Sequence, residues 1–172
     1  MLINGAGGSI GAHAVQIARA MGGHVTAVDH RSKEDFVRRI GAQDFHDYTA
    51  GDVTATGRRY DVIFDMVAGG PYRRLIGMLE PGGRYLNGNP RLSVLFRSKV
   101  LDRRTAIVTF APETAEALAT LTAMIERGEI RPIVDRVLPM SSAADAHRLV
   151  ESEQRLGAIV ISLDDIVIPL DD

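Results

Sequence analysis

The run Gly5-Ala6-Gly7-Gly8-Ser9-Ile10-Gly11 stands between an apolar pair, Leu2-Ile3, and a stretch in which Ile10, Ala14, Ile17, Ala18 and Met21 recur at helical spacing. An apolar segment, a glycine-rich turn and a helix-period segment in that order read as strand, tight turn and helix, which few folds place at such a junction. In this turn main-chain N–H groups can approach an anion without obstruction by side chains, and the positive end of the helix dipole points at the same spot. Counted from Gly5 the strict G-x-G-x-x-G string fails, because Ile10 stands where the third glycine would fall; the register Ala6-x-Gly8-x-x-Gly11 serves instead. Glycines there also allow close strand–helix packing with no ligand at all, so the turn needs support from other residues.

That support comes from Asp29. Gly22-Gly23 ends the first helix, His24 to Val28 reads as a buried strand, and Asp29 closes it 21 residues beyond Gly8, against the roughly 20-residue offset of a ribose-binding carboxylate. A carboxylate at this point can accept from both hydroxyls of an adenosine ribose and would repel a 2′-phosphate. Arg31, Ser32 and Lys33 follow at once; as two cations and a hydroxyl they could hold such a phosphate, or form a solvated cluster at a helix start. The choice between the two dinucleotides stays open on these residues.

Further along, Phe36, Val37 and Ile40 share one face of a short helix stopped by Gly41, and a weak strand follows around Asp44 to His46. Val62-Ile63-Phe64 runs into Asp65, then a turn at Gly69-Gly70-Pro71 leads to a helix with Tyr72, Leu75, Ile76 and Leu79 inward, broken by Pro81-Gly82-Gly83. A strand from Tyr85-Leu86 closes on the polar loop Asn87-Gly88-Asn89-Pro90, a candidate site. Residues Leu92 to Leu101 suggest a helix and Ala106 to Phe110 a strand. A further helix has Pro112 in its first turn, Glu113 and Glu116 at its positive end and Leu118, Leu121 and Ile125 as an inward stripe, ending at Gly128. Alternating strands and helices predict an α/β fold, a Rossmann-type doubly wound parallel sheet covered on both faces. After Pro132 the texture changes to an extended Ile133 to Leu138, a helix from Ser142 carrying Asp145, Ala146, Leu149 and Val150, and a strand from Ala158 to Ile161. The expected organisation is a dinucleotide-binding domain over 1–131, a strand–helix–strand annex over 132–163 and a tail over 164–172.

Composition narrows the function classes. The 172 residues are 45% hydrophobic and 24% charged with a formal net charge of -2, which fits a soluble globular domain and offers no positive field for nucleic acid or anionic lipid. The absence of cysteine removes disulfides, thiol nucleophiles and thiolate zinc sites. His13, His24, His30, His46 and His147 show no metal-ligand spacing, so no metal is expected. No apolar run approaches the roughly 20 residues of a spanning helix and the start lacks signal-peptide character, so a cytoplasmic protein without membrane or nucleic-acid partners is expected.

With the glycine turn, Asp29, Val62-Ile63-Phe64-Asp65 and Leu79-Glu80-Pro81-Gly82-Gly83-Arg84-Tyr85 in hand, the chain resembles the medium-chain dehydrogenase/reductase superfamily in its quinone-oxidoreductase-like branch. The resemblance extends in order through LINGAGGSIGAHAVQIARAMG, RRIGAQDFHDY, RYDVIFDMV, LEPGGRY, IRPIVDRVLP, AADAHRLVES and GAIVISL, covering nearly all of 2–163. It implies an NAD(P)-dependent oxidoreductase in which hydride passes between a nicotinamide and a small carbonyl, enone or quinone-type molecule. It places the pyrophosphate on Ala6, Gly7, Gly8, Ser9, Ile10 and Gly11, and borders the nicotinamide with Val67, Ala68, Asn87 and Gly88. In NADPH-using relatives the positions of Lys33 and Tyr48 hold the 2′-phosphate; both residue types are kept here, which tips the expectation toward NADP, while Asp29 replaces the small residue such relatives carry. The GroES-like catalytic half with which these relatives begin, and which bears zinc in one branch, does not precede the first strand in this sequence. The annex resembles the segment that returns to that half, so the expectation is apolar surface that seeks a missing catalytic domain or a second copy of the chain, and no zinc.

No catalytic residue stands out. Tyr72 and Tyr85 could donate a proton, yet each falls in an apolar pattern that suits core packing. Ser9 lacks the surroundings of a nucleophile elbow. Two other readings compete: an S-adenosylmethionine-dependent methyltransferase, against which Asn4 stands where such enzymes carry an acid, and a catalytically silent nucleotide-binding or assembly module.

Overall fold

The computed structural model describes residues 1–89, 92, 94, 105–107 and 114–163. Six strands, β1 (Leu2–Asn4), β2 (Thr26–Asp29), β3 (Asp44–Asp47), β4 (Tyr60–Asp65), β5 (Leu79–Asn87) and β6 (Thr105–Ile107), form one all-parallel sheet in the order β3-β2-β1-β4-β5-β6. The order reverses between β1 and β4, the point at which such sheets open a crevice beyond their C-terminal strand ends.

Neighbouring residues of each strand feed opposite faces, as the two-residue period requires. Leu2 and Ile63 join a core with Leu75, Ile76 and Tyr85; Ile3 and Ala27 join a second core with Val15, Phe36 and Val37. Helix α1 (Ser9–Ala20) and α2 (Glu34–Arg39) cover one face, and α3 (Tyr72–Gly77) the other. This is the doubly wound α/β sheet expected from the sequence.

Several local expectations shift. In α1 the buried side is Gly11, Ala12, Val15, Gln16 and Ala18, whereas Ile10 and Met21 are exposed. Helix α3 stops at Gly77, so Leu79 opens β5 and Pro81-Gly82-Gly83 lies within that strand, where the pairing with β4 slips between Tyr60 and Val62. Helix α4 (Ala115–Glu126) is capped by the Thr114 hydroxyl on the Ala117 N–H. Its stripe faces outward: Leu118 is 66% exposed, with Leu121 and Ile125 also exposed, and Met124 is its buried residue. A helical period fixes which residues share a face, not what covers it. The expected starts at Pro112 and Glu113, the end of the sixth strand beyond Ile107, most of the segment from Leu92 to Leu101, and the tail lie outside the described residues.

The annex consists of β7 (Val134–Pro139), α5 (Ala143–Glu151) and β8 (Ala158–Ser162), with β7 and β8 paired in parallel as a separate two-stranded sheet. Two clasps tie it to the larger sheet. Buried Gln16 of α1 donates from Nε2 to the Arg131 carbonyl at 3.0 Å and accepts the Arg131 N–H at Oε1 at 3.0 Å. The Gly157 N–H donates to the Gly7 carbonyl at 3.1 Å. Gly157 has φ +94, and a Cβ there would lie 2.5 Å from Ile133 Cγ2 and 2.7 Å from its carbonyl oxygen, so this clasp requires glycine. Substituting Gln16→Leu removes both hydrogen bonds to the part-buried Arg131 backbone, at about 0.5–1.5 kcal/mol each. Amide hydrogen exchange is expected to speed up around Arg131 and along β7 while β1 and β4 stay protected.

Candidate functional site

Beyond the C-terminal ends of β1, β2, β4 and β5 lies a cleft of about 1150 Å³, a volume suited to a ligand of dinucleotide size. The glycine turn forms its centre. Gly5 takes φ +83, letting the chain reverse out of β1, and its N–H donates to the Val28 carbonyl at 3.0 Å. A Cβ on Gly11 would sit 2.1 Å from the Gly5 carbonyl oxygen, so glycine there lets the helix start directly on the turn. Gly8 is different: its backbone is extended (φ -79, ψ 174), and an added Cβ would meet the Gly5 carbonyl only at 3.5 Å. Its hydrogen therefore faces the open cleft.

The first turn of α1 has no side-chain cap. Ser9 follows Gly8, which is bridged in parallel to Gly157 of the annex; among the described residues the N–H groups of Ile10 and Gly11 have no protein acceptor, while the Ala12 N–H already donates to the Gly8 carbonyl at 2.9 Å. Orphan amides at a helix N-terminus, reinforced by the dipole, suit a pyrophosphate. The chemistry of this donor set and the space above Gly8 thus fit a dinucleotide.

Asp29 is buried at the end of β2. Its Oδ2 accepts the Gly7 N–H at 2.7 Å, and its Oδ1 accepts the His30 N–H at 2.8 Å and lies 3.2 Å from Lys33 Nζ. A carboxylate offers about four acceptor positions, so three are occupied by the protein and one remains for a ribose hydroxyl, where the sequence suggests two. Lys33 is equally buried, its stem packed over Gly7. The resemblance implies a place for Lys33 on a 2′-phosphate; in the structure Lys33 lines the cleft paired with Asp29, the tight 3-10 turn over Arg31–Lys33 folding its side chain back toward the strand end.

Of the other predicted site residues, Gly8, Ser9, Ile10, Gly11, Tyr48, Val67, Ala68 and Gly88 line the cleft with Asp29 and Lys33. Ala6 and Gly7 are buried behind the turn, and Arg31 and Ser32 are exposed beyond the cleft lining, where the His30 ring caps the short 3-10 turn by accepting the Ser32 N–H. Tyr48 stands half-exposed on the β2 side of the cleft; lost hydration first, then the charges of Asp29, Glu153 and Asp47, push its phenol above the ordinary range. Asn87 does not reach the cleft. It is buried beneath it, donating from Nδ2 to the Tyr85 hydroxyl at 3.0 Å. Tyr85 is fully buried and donates to Asp65 Oδ2 at 2.5 Å. Burial and then that hydrogen bond raise its phenol far above the usual range, so it is no proton donor to a substrate.

Sequence reasoning missed Asn4 of β1 and three annex residues, Val150, Glu153 and Arg155, that also line the cleft. Glu153 has φ +56, a left-handed residue just past the end of α5 that turns the chain toward the clasp at Gly157. No local pattern near Glu153 marks it, since its role arises from the annex folding back over the turn. Among the described residues no group of three or more His, Asp or Glu side chains could hold a metal ion, and no helix among them is long and apolar enough to cross a membrane.

Residues 40–161 match the family described as zinc-binding dehydrogenase. The NAD(P)H oxidoreductase RTN4IP1, mitochondrial, of Danio rerio is 28% identical over 189 residues, spanning 95% of this chain and 49% of the relative. A chloroplast envelope quinone oxidoreductase homolog of Arabidopsis thaliana is 24% identical, over 94% of this chain and 51% of its own. Among solved structures, a putative alcohol dehydrogenase from Sinorhizobium meliloti 1021 superposes with a TM-score of 0.82 at 29% identity, covering 95% of this chain and 48% of that one. The quinone oxidoreductase of Coxiella burnetii superposes with a TM-score of 0.83 at 24% identity, covering 94% and 52%. The chain thus spans about half the length of the relatives it matches. With the sheet order, the glycine turn and the carboxylate at the end of β2 all in place, the chain belongs to the zinc-binding dehydrogenase family, within the medium-chain dehydrogenase/reductase superfamily.

Proposed function

We propose that this chain is the coenzyme-binding portion of an oxidoreductase that exchanges hydride between a nicotinamide dinucleotide and a small carbonyl, enone or quinone-type molecule. The observation that carries the proposal is the pair of unpaired amides at Ile10 and Gly11 opening onto a cleft whose next strand ends in Asp29. The names of its relatives support the class of reaction. When bound, the nicotinamide supplies the hydride chemistry. The protein's part is to grip and to shield. The turn holds the pyrophosphate, Asp29 accepts one ribose hydroxyl, and the ends of β4 and β5 receive the second nucleotide, a reading that the switch in strand order between β1 and β4 supports.

Among the described residues that line the cleft near Val67, Ala68, Gly88 and Asn89, no side chain exchanges a proton near neutral pH. The substrate wall corresponds on this reading to the half of the relatives that the chain does not span. Of the two dinucleotides, NADH fits better than the sequence alone suggests. Lys33 is taken up by Asp29, and Glu153 adds a second carboxylate near Tyr48, so a 2′-phosphate there meets negative charge.

Titrating the purified chain with NADH, NADPH and S-adenosylmethionine, followed by nicotinamide fluorescence and melting temperature, tests this reading, because a ligand that binds the native state raises its stability. NADH is expected to bind tighter than NADPH, and Asp29→Ala to weaken NADH more than NADPH. Equal losses would contradict the ribose role. A response to S-adenosylmethionine with none to either dinucleotide would overturn the function.

A further inference from the structure

Under the β4–β5 side of the cleft lies a buried polar cluster that the binding scheme does not yet use. The strand register sets Asn4 of β1 beside Asp65 of β4, and Asp65 beside Asn87 of β5, in one row at the C-terminal edge of the sheet. Asp65 is 1% exposed, and its neighbours in the row carry no cation. Its charge is met by hydrogen bonds: Oδ1 accepts from Asn4 Nδ2 at 2.9 Å and from the Val67 N–H at 3.1 Å, and Oδ2 accepts from the Tyr85 hydroxyl at 2.5 Å. Tyr85 in turn accepts from Asn87 Nδ2, and Asn87 Oδ1 accepts the Asn89 N–H at 2.9 Å. The backbone carbonyl of Asp65 takes the Gly88 N–H at 3.1 Å.

A buried carboxylate with no paired cation among the described residues is costly, and a packed apolar residue would serve folding as well. What the cluster does that apolar packing cannot is fix two loops at once. Val67 is held through Oδ1 and Asn89 through the Tyr85–Asn87 relay, while the Asp65 main-chain carbonyl holds Gly88 between them. These loops line the cleft on the side that, on the function proposed above, takes the nicotinamide half of the coenzyme. We infer that Asp65, Tyr85 and Asn87 are positioning residues for the nicotinamide end of the cleft, acting through the Val67 and Gly88–Asn89 loops and not on the adenosine end. The inference rests on the coenzyme reading of the site.

Tyr85→Phe keeps the ring and its edge contact with Tyr72, at 5.2 Å between centroids, but removes the hydroxyl that links Asp65 to Asn87. Its affinity is measured for NADH and for ADP-ribose, which shares the adenosine and pyrophosphate and lacks the nicotinamide. The expected result is that NADH weakens about tenfold, the equivalent of one or two hydrogen bonds, and loses its fluorescence enhancement, while ADP-ribose is held as by the wild type. Equal weakening of both ligands would mean that the cluster only stabilises the fold and would overturn the inference, as would unchanged NADH binding. If Tyr85→Phe does not fold, Asn87→Ala, which removes the hydrogen bonds from Asn87 to the Tyr85 hydroxyl and from the Asn89 N–H but keeps Asp65 bonded to Tyr85, is read by the same comparison. A wild-type chain that binds neither ligand overturns the coenzyme reading and this inference with it; a wild type that binds both, with variants that do not discriminate, overturns this inference alone.

Discussion

Gly8→Val is expected to abolish dinucleotide binding in a protein that still folds. A Cβ at Gly8 touches nothing closer than the Gly5 carbonyl oxygen at 3.5 Å, and the extended backbone there accommodates a β-branched residue. The valine methyls would instead fill the space over the Ile10 and Gly11 amides. Each charge-assisted hydrogen bond to the pyrophosphate contributes about 1.5–3 kcal/mol, so losing two weakens affinity by about 100-fold or more. Fluorescence titration with NADH reads the loss, and a melting temperature within a few degrees of the wild type shows that the fold survives. Undiminished affinity would remove the turn from the binding site. Gly11→Val makes the contrasting control: with a Cβ 2.1 Å from the Gly5 oxygen, it should fail through the fold itself.

Lys33→Met is expected to destabilise the chain by about 3 kcal/mol or more, the usual penalty for removing one partner of a buried ion pair. The side chains of Lys33 and Asp29 are 8% and 7% exposed, and the methionine would fill the same channel over Gly7 without offering charge to Asp29. Urea denaturation reads the difference. A loss below about 0.5 kcal/mol, the range of an ordinary surface substitution, would mean that Lys33 is a solvated cation free to meet a ligand phosphate, and would restore the case for NADP. Removing both charges with Asp29→Asn and Lys33→Met together should recover part of the stability, since the stranded charge is the main cost.

Much of this was legible from residues close together in the chain. The strand–turn–helix opening, the carboxylate closing β2 and the parallel alternation follow from short-range periodicity and glycine placement, and the structure keeps them. The Asp29–Lys33 pair lies at i,i+4 spacing and is visible in principle, but only the turn over Arg31–Lys33 decides that the lysine folds inward. The row Asn4–Asp65–Asn87 was not legible, because it depends on the register of three strands far apart in the chain. Likewise Val150, Glu153 and Arg155 reach the cleft only because the annex returns to the turn. The outward stripe of α4 shows the reverse limit: its period is real, yet burial belongs to the tertiary arrangement and not to the helix.

The clasp between Gly157 and Gly7 has a consequence for assembly of the protein in time. Gly7 leaves the ribosome well before Gly157, and their hydrogen bond closes a loop that holds five of the sheet's six strands, β2 to β6. Long loops close late, after local elements have formed. The glycine-rich bend, made before the annex, therefore reaches its final shape only once translation has passed Gly157, and a nascent chain stalled short of that residue carries a bend with one carbonyl still facing water.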